Sequence, residues 1–255
     1  MLLAFDIGNS TIAVGLFRGK TLAHDWRVET DPHKTLDEYA VLLLGLFRMA
    51  GVQSRRFDGL ILSSVVPPLT PVFQALGESV FGRAPLVVGP GLKTGMPILY
   101  ENPLEVGADR IAAAVAAHAK YGGPAIVVDF GTATTFDAVT AKGEYLGGAI
   151  APGVQISAEA LYLKTAKLPR IEVRKPKRAI GRTTVASMQS GLYFGYLGLV
   201  SALIGQIKAE LGGSSRVVST GGFGGLITPE IPAIDAYEPA LVLDGLRILY
   251  ERNRE

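Results

Sequence analysis

Two short segments of the chain set a carboxylate and a glycine in the same relation. Asp6-Ile7-Gly8-Asn9-Ser10-Thr11 follows the apolar run Leu2-Leu3-Ala4-Phe5. Asp129-Phe130-Gly131-Thr132-Ala133-Thr134 follows Ala125-Ile126-Val127-Val128. An apolar strand that ends in Asp-x-Gly delivers an acid to a fixed place at its end. The glycine lets the backbone turn tightly and approach a ligand closely. The Asn, Ser and Thr that follow offer backbone N–H groups and hydroxyls to an anion. One such loop is as readily a turn stabilised by its own Asp. Two of them in the same relation point to a duplicated unit that grips phosphates from two sides. The sequence has no Gly-x4-Gly-Lys-Ser/Thr and no convincing Gly-x-Gly-x-x-Gly after a strand, so a P-loop is not indicated.

A third acid sits in Gly107-Ala108-Asp109-Arg110, directly before the alanine-rich run Ile111 to Ala117. Taken alone, Asp109 is best read as a first-turn acid that meets free N–H groups and the helix dipole. In the chemical reading, Asp109 takes a proton from a substrate hydroxyl and Arg110 holds an anionic or polar substrate group. Thr220-Gly221-Gly222 closes a strand. It reads as a plain turn, or as a place where an adenine ring lies against bare backbone. Lys164 to Arg182 holds eight basic residues and one acid, Glu172. A solvated, mobile loop is preferred there, attraction of anionic substrates comes second, and nucleic-acid binding third, since no aromatic residues are interleaved. His24, His33 and His118 form no cluster, and Trp26 is expected to pack.

The elements that must carry these residues follow from pattern. The first loop leads into a strand Thr11 to Phe17, a turn Arg18-Gly19-Lys20 and a strand Thr21 to Val28. The second leads into Thr135 to Val139, a turn Ala141-Lys142-Gly143 and a strand from Glu144 to Ile150. The same order of strand, Asp-x-Gly turn, strand, Gly turn, strand occurs twice. Helices are expected over Thr35 to Met49, Pro68 to Phe81, Pro103 to Tyr121, Val154 to Leu163, Thr184 to Leu211 and Pro239 to Arg252. Further strands are expected over Phe57 to Ser63, Pro85 to Val88 and Arg216 to Ser219, with a loop over Gly89 to Asn102. Interleaved strands and helices indicate an α/β fold, with halves 1–121 and 122–255.

Composition bounds the rest. The 255 residues are 48% hydrophobic and 19% charged, with net charge +2. That suits a globular chain without a strong polyanion field. There is no cysteine, which excludes disulfides, thiolate catalysis and cysteine metal sites. The start runs straight into a strand without a leader pattern, so a cytoplasmic protein is expected. Gly191 to Gly205 is nearly uncharged, but it is shorter than the ~20 residues of a membrane span. A buried or subunit-interface helix is favoured over a membrane span.

Taken together, these residues resemble the type III pantothenate kinases, members of the superfamily of acetate and sugar kinases, heat-shock chaperone ATPases and actin. The likeness runs over Asp6-Ile7-Gly8-Asn9-Ser10, Tyr100-x-x-Pro103-x-x-Val106-Gly107-x-Asp109-Arg110 and Asp129 to Thr134. It continues through Gly147-Gly148-x-Ile150-x-Pro152-Gly153, Gly181-x-x-Thr184 with Gly191, and Thr220-Gly221-Gly222. The phosphate loops are shared across the superfamily, whereas the Tyr100 to Arg110 block is specific to this family. Ser10 stands where Thr is usual and keeps the hydroxyl. The resemblance implies a duplicated ribonuclease H-like (actin-like ATPase) fold, two similar halves with a cleft between them. It implies ATP-dependent phosphorylation of pantothenate to 4′-phosphopantothenate, the first step of coenzyme A synthesis. Asp6, Ile7, Gly8, Asn9, Ser10, Thr11, Ile12 and Ala13 would form the first phosphate loop, and Thr132 would touch ATP phosphates. Asp109 would be the general base. Tyr100, Gly107, Ala108, Asp109, Arg110 and Thr184 would bind pantothenate, and Asp129 a monovalent cation, K⁺ or NH₄⁺. Mg²⁺ would accompany ATP. A homodimer with the pocket near its interface is implied, with no nucleic acid and no membrane as partner. Two alternatives stand beside this: a regulatory protein of the same family, described as a transcriptional accessory factor, and a kinase of a related hydroxyl substrate.

Overall fold

The computed structural model describes residues 1–52 and 57–254. It contains two five-stranded mixed sheets of the same design. Contacts group residues 1–96, 101–116 and 241–255 into one unit, and 97–100 with 117–240 into another.

The first sheet is built from β1 (Leu2–Ile7), β2 (Thr11–Arg18), β3 (Thr21–Glu29), β4 (Gly59–Ser64) and β5 (Leu86–Val87), in the order β3-β2-β1-β4-β5. β1 lies antiparallel to β2, with Leu2 opposite Phe17 and Ile7 opposite Ile12. On its other side β1 runs parallel to β4. β1 is buried on both faces, which explains why it reads as an apolar run rather than an alternation. One face packs Leu3, Phe5, Ile7, Ile12 and Val14 against Tyr39, Leu43 and Phe47 of α1 (Leu36–Met49) and Leu69, Phe73 and Leu76 of α2 (Leu69–Phe81). Helix α1 starts at a capping box. The Thr35 side chain accepts from the Glu38 N–H, and the Glu38 carboxylate accepts from the Thr35 N–H at 2.8 Å, which meets two otherwise orphaned donors.

The second sheet repeats the plan with β6 (Ala125–Phe130), β7 (Ala133–Val139), β8 (Tyr145–Pro152), β9 (Arg216–Thr220) and β10 (Ala236–Tyr237), in the order β10-β9-β6-β7-β8. Strand for strand this is the first sheet again, including an antiparallel hairpin partner and a parallel neighbour for the central strand. Its core face sets Ile126, Val128, Phe130 and Phe136 against Val154 and Ala158 of α4 (Val154–Leu163) and Tyr193, Tyr196, Val200 and Ile204 of α5 (Thr184–Glu210). The duplication expected from sequence is therefore present in the strand order itself.

Three features differ from or add to the expectation. Between β5 and the next helix, the Gly89 to Asn102 stretch is not all loop. Pro97 to Leu99 joins the edge of β8, with Leu99 N–H donating to the Tyr145 carbonyl at 2.8 Å and Tyr145 N–H donating to the Pro97 carbonyl at 2.9 Å. The helix expected from Pro103 is broken. Pro103–Glu105 is one 3₁₀ turn capped by Asn102, and α3 (Ala108–Tyr121) begins after Val106-Gly107. The basic segment 164–182 is irregular but pinned rather than loose. Ile171 and Val173 are buried. Gln189 Nε2 donates to the Glu172 carbonyl at 3.1 Å, and Lys175 pairs with Glu230 at 2.6 Å. An alternation of charged and apolar residues over 170–174 hides those two anchors from a reading of charge alone.

The short α6 (Gly224–Ile227) follows β9, and α7 (Leu241–Asn253) closes the chain. Sequence division at residue 121 assigns α7 to the second half, yet it packs on β1, β2 and β4 of the first sheet. Leu241, Leu243, Leu246 and Leu249 are buried, and Leu243 fills the space above Gly15. Helix α5 passes the length and composition test for a membrane-crossing helix, with 28% of its apolar window buried.

Candidate active site

The first unit gathers the Asp6 to Ala13 loop and the Gly107 to Arg110 block at the C-terminal edge of its sheet. Asp6 is the penultimate residue of β1, opposite Ala13 on β2 and Ser63 on β4. The turn after it is tied down from both sides. Gly8 N–H donates to the Thr11 carbonyl at 3.1 Å, and Thr30 N–H donates to the Ser10 carbonyl at 3.1 Å. Thr30 Oγ1 donates to the Gly8 carbonyl at 2.7 Å. A Cβ on Gly8 would come within 3.1 Å of the Thr11 carbonyl oxygen, so the turn is already at contact distance. Asn9, Ser10 and Thr11 are left exposed, which is where an anion would meet them.

Asp109 stands in the first turn of α3. The helix is placed by a backbone-to-backbone approach: a Cβ on Gly245 of α7 would sit 1.9 Å from the Ala112 carbonyl oxygen. Only glycine admits this contact, and the alanines of α3 keep that approach thin. Gly107, just before the helix, lies 3.6 Å (from its would-be Cβ) from Val65, the residue after β4. The same edge of the sheet therefore carries the end of β1, the end of β4 and the start of α3. Asp109 Oδ1 accepts from the Arg110 N–H at 2.8 Å. Burial holds its carboxyl above the ordinary carboxylate range, while that hydrogen bond and the Arg110 charge act in the opposite direction. An acid whose pKa is raised is a better proton acceptor once ionised. A helix-start position and a raised proton affinity therefore meet in one residue.

The second unit holds the rest. Asp129 is the penultimate residue of β6, opposite Thr135 on β7 and Thr220 on β9. Two glycines make room around it. A Cβ on Gly221 would lie 2.4 Å from Asp129 Oδ1, and Gly221 has φ +88°. Gly153 admits the Gly131-Thr132 carbonyls, with its would-be Cβ at 2.2 Å from the Thr132 oxygen. Its N–H donates to that same oxygen at 3.2 Å. Sequence reading gave the Thr220-Gly221-Gly222 turn a weak adenine-facing role. In the structure Gly221 presses against the Asp129 end of β6, and its carbonyl accepts from the Tyr237 hydroxyl at 3.1 Å. Thr134, directly after the loop, shares a hydrogen bond with the Tyr196 hydroxyl of α5.

Tyr100 ends the stretch that joins β8, and its ring lies 3.1 Å from the would-be Cβ of Gly147, which has φ +121°. Thr184 is exposed in the first turn of α5, where Thr183 caps the helix by accepting from the Ala186 N–H at 3.1 Å. Asp6 to Ala13 and Gly107 to Arg110 thus fall in the first unit, and Tyr100, Asp129, Thr132 and Thr184 in the second. Ser63 and Tyr196 escaped the sequence reading, whereas Gly153 was quoted within the Gly147 to Gly153 run without a role of its own. Only the small polar pair Ser63-Ser64 at the end of an apolar strand offered a signal.

The donor set suits a metal that arrives with its phosphates. Among the described residues no group of three or more His, Cys, Asp or Glu side chains could hold an ion alone. Mg²⁺ characteristically keeps waters and takes one or two carboxylates plus phosphate oxygens, and Asp6 at its strand end fits that use.

Two sheets of identical strand order, each with an acid-glycine turn after its central strand, define the actin-like ATPase and sugar-kinase class. Solved structures agree on the fold. The chain matches a Baf-family transcriptional activator of Campylobacter jejuni with TM-score 0.63 and 18% identity, covering 98% of both chains. It matches the polyphosphate/ATP-glucomannokinase of an Arthrobacter strain with TM-score 0.51 and 15% identity, covering 97% and 96%. Within that class the assignment is narrower: residues 2–206 match the type III pantothenate kinase family, and the chain belongs to it. It is 56% identical to the type III pantothenate kinase of Geobacter sulfurreducens over the full length of both chains. It is 54% identical to that of Moorella thermoacetica, over 99% of this chain and 100% of the relative. The protein is accordingly an enzyme, a kinase.

Proposed function

We propose that the protein transfers the γ-phosphoryl group of ATP to the terminal hydroxyl of pantothenate, the first step towards coenzyme A, in the cytoplasm. The observation that carries this reading is the half-buried Asp109 at the start of α3, on the same sheet edge as the Asp6 loop. Phosphoryl transfer depends on positioning and charge neutralisation more than on covalent chemistry. In the proposed mechanism the Asp6 to Ala13 loop and Thr132 hold the phosphates. Mg²⁺ would supply charge neutralisation at the phosphates, and Asp6 is the residue that would hold it. Asp129 holds K⁺ or NH₄⁺ beside the second loop. Tyr100, Gly107, Ala108, Arg110 and Thr184 seat pantothenate, and ionised Asp109 accepts the proton of its hydroxyl.

The reading includes a homodimer. Helix α5 turns Tyr193, Tyr196, Val200 and Ile204 into the core and leaves Gly191, Phe194, Gly195, Gly198, Ala202 and Gly205 exposed. Beside those glycines a Cβ would meet nothing within 4 Å. A second copy of the same face would cover this strip by close helix approach, as an isologous contact. Thr184 lies at the start of that helix.

The test is a coupled ADP-release assay in Mg²⁺ and K⁺ with pantothenate against a panel of sugars and carboxylic acids. Release with pantothenate alone is the expected result. Release with another hydroxyl compound and not with pantothenate would assign a different acceptor. No release with any would favour a regulatory protein.

A further inference from the structure

Ser63 is fully buried in β4, and its hydroxyl has no hydrogen-bond partner in the protein. Such a group is costly to bury unless something outside the protein satisfies it. Its surroundings say where that something sits. Ser63 is in parallel register with Asp6, and parallel neighbours project to the same face of a sheet. Leu60 and Leu62 of β4, like Phe5 and Ile7 of β1, belong to the core on the opposite face. Ser63 and Asp6 therefore share the other face, which α7 covers further down the strands. Two residues beyond Ser63, Val65 meets Gly107, which leads into Asp109. The buried hydroxyl thus belongs to the strand edge that carries both acids of this unit.

We infer that Ser63 is a positioning residue of the nucleotide site: through an ordered water it hydrogen-bonds to the Asp6 carboxylate and fixes the direction in which Asp6 meets the hydrated metal of MgATP. A hydroxyl suits this place because it is neutral and both donates and accepts. A buried water needs two to four polar partners. Ser63 and Asp6 supply two, and water carried by the metal supplies a third when the nucleotide binds. Groups that orient a metal-facing ligand typically matter by 10- to 100-fold in affinity or activity. This inference rests on the proposed placement of ATP at the Asp6 loop and adds to it a residue outside that loop.

The test compares the full-length wild type with Ser63→Ala and Ser63→Thr. MgADP binding is measured by calorimetry, melting temperature without ligand, and KM for MgATP and for pantothenate separately. Ser63→Ala is expected to leave the melting temperature unchanged or raised, because it deletes an unsatisfied buried group. It is expected to weaken MgADP binding and raise KM for MgATP about tenfold or more, with KM for pantothenate little changed. Ser63→Thr keeps the hydroxyl and should restore most of the nucleotide affinity. Unchanged MgADP affinity in a folded Ser63→Ala would overturn the inference. So would a loss of affinity matched by a fall in melting temperature that Ser63→Thr fails to restore. If the wild type itself binds no MgADP, the placement of ATP fails rather than the role of Ser63.

Discussion

Asp109 carries a cost as well as its proposed role, and the two can be separated by pH. Burial raises its carboxyl above the ordinary value, so the folded state binds that proton more tightly than the unfolded chain. Stability from this group is fully present below the unfolded pKa and is lost as pH rises through the raised folded pKa. At neutral pH the wild type therefore holds a destabilising, partly desolvated charge. Asp109→Asn should melt at an equal or higher temperature there, and its advantage should shrink as pH falls through the same range. The wild-type kcat/KM should decline on the acid side at a pH above the ordinary carboxylate range, because the base must be ionised. A melting-temperature series and a pH–rate profile on the same preparations check both. Asp129 gives the second expectation at this scale. Activity should need K⁺ or NH₄⁺ and fall in Na⁺ alone, and Asp129→Ala should stay impaired at any K⁺ concentration. Full wild-type turnover without monovalent cations would remove that role. Asp129 was visible in the sequence because Asp-x-Gly after an apolar run is a local pattern, whereas Asp109 alone read as a helix-start acid and took its base role from the family resemblance. Ser63 was not, because its meaning depends on a parallel register with a residue some sixty positions away, which no local pattern records.

Among the elements, α3 and α7 are held by one contact. A helical glycine exchanged for alanine ordinarily stabilises by ~1 kcal/mol. Gly245→Ala should do the reverse, because its Cβ falls 1.9 Å from the Ala112 carbonyl. The expected outcome is a loss of about 1–3 kcal/mol and a fall in turnover as the start of α3 shifts, measured by denaturant unfolding and assay. Most elements were legible: capping residues, Gly and Pro punctuation and apolar periodicity placed α1, α2, α4 and α5 to within a residue or two. The departures have physical causes. Pro103 starts a turn that Val106-Gly107 interrupts, so a helix signal begins early. Pro97 to Leu99 pairs with β8 through backbone groups, which side-chain pattern does not report. The destination of α7 depends on how its leucines fit over Gly15, a tertiary fact.

At the scale of the whole molecule the duplication is the organising fact. The chain builds the same five-strand order twice, and each copy ends its central strand in an acid and a glycine. That much was readable from the repeat of hairpins around Asp6 and Asp129. The proposed assembly is testable through α5. Gly195→Glu sets a bulky charge on an exposed face where nothing lies within 4 Å, so a monomeric fold should tolerate it. Sedimentation should show loss of the dimer together with loss of pantothenate phosphorylation. A variant that sediments as a monomer at wild-type turnover would show that one chain completes the site. The proposed role of Asp109 as the base of a pantothenate kinase underlies the rest. Its most direct test is pantothenate-dependent ADP release by wild type and Asp109→Asn, side by side at saturating MgATP and K⁺. Release by the wild type is expected, with a kcat lower by ~10²-fold or more in the folded variant. Near-normal kcat in Asp109→Asn would contradict that role.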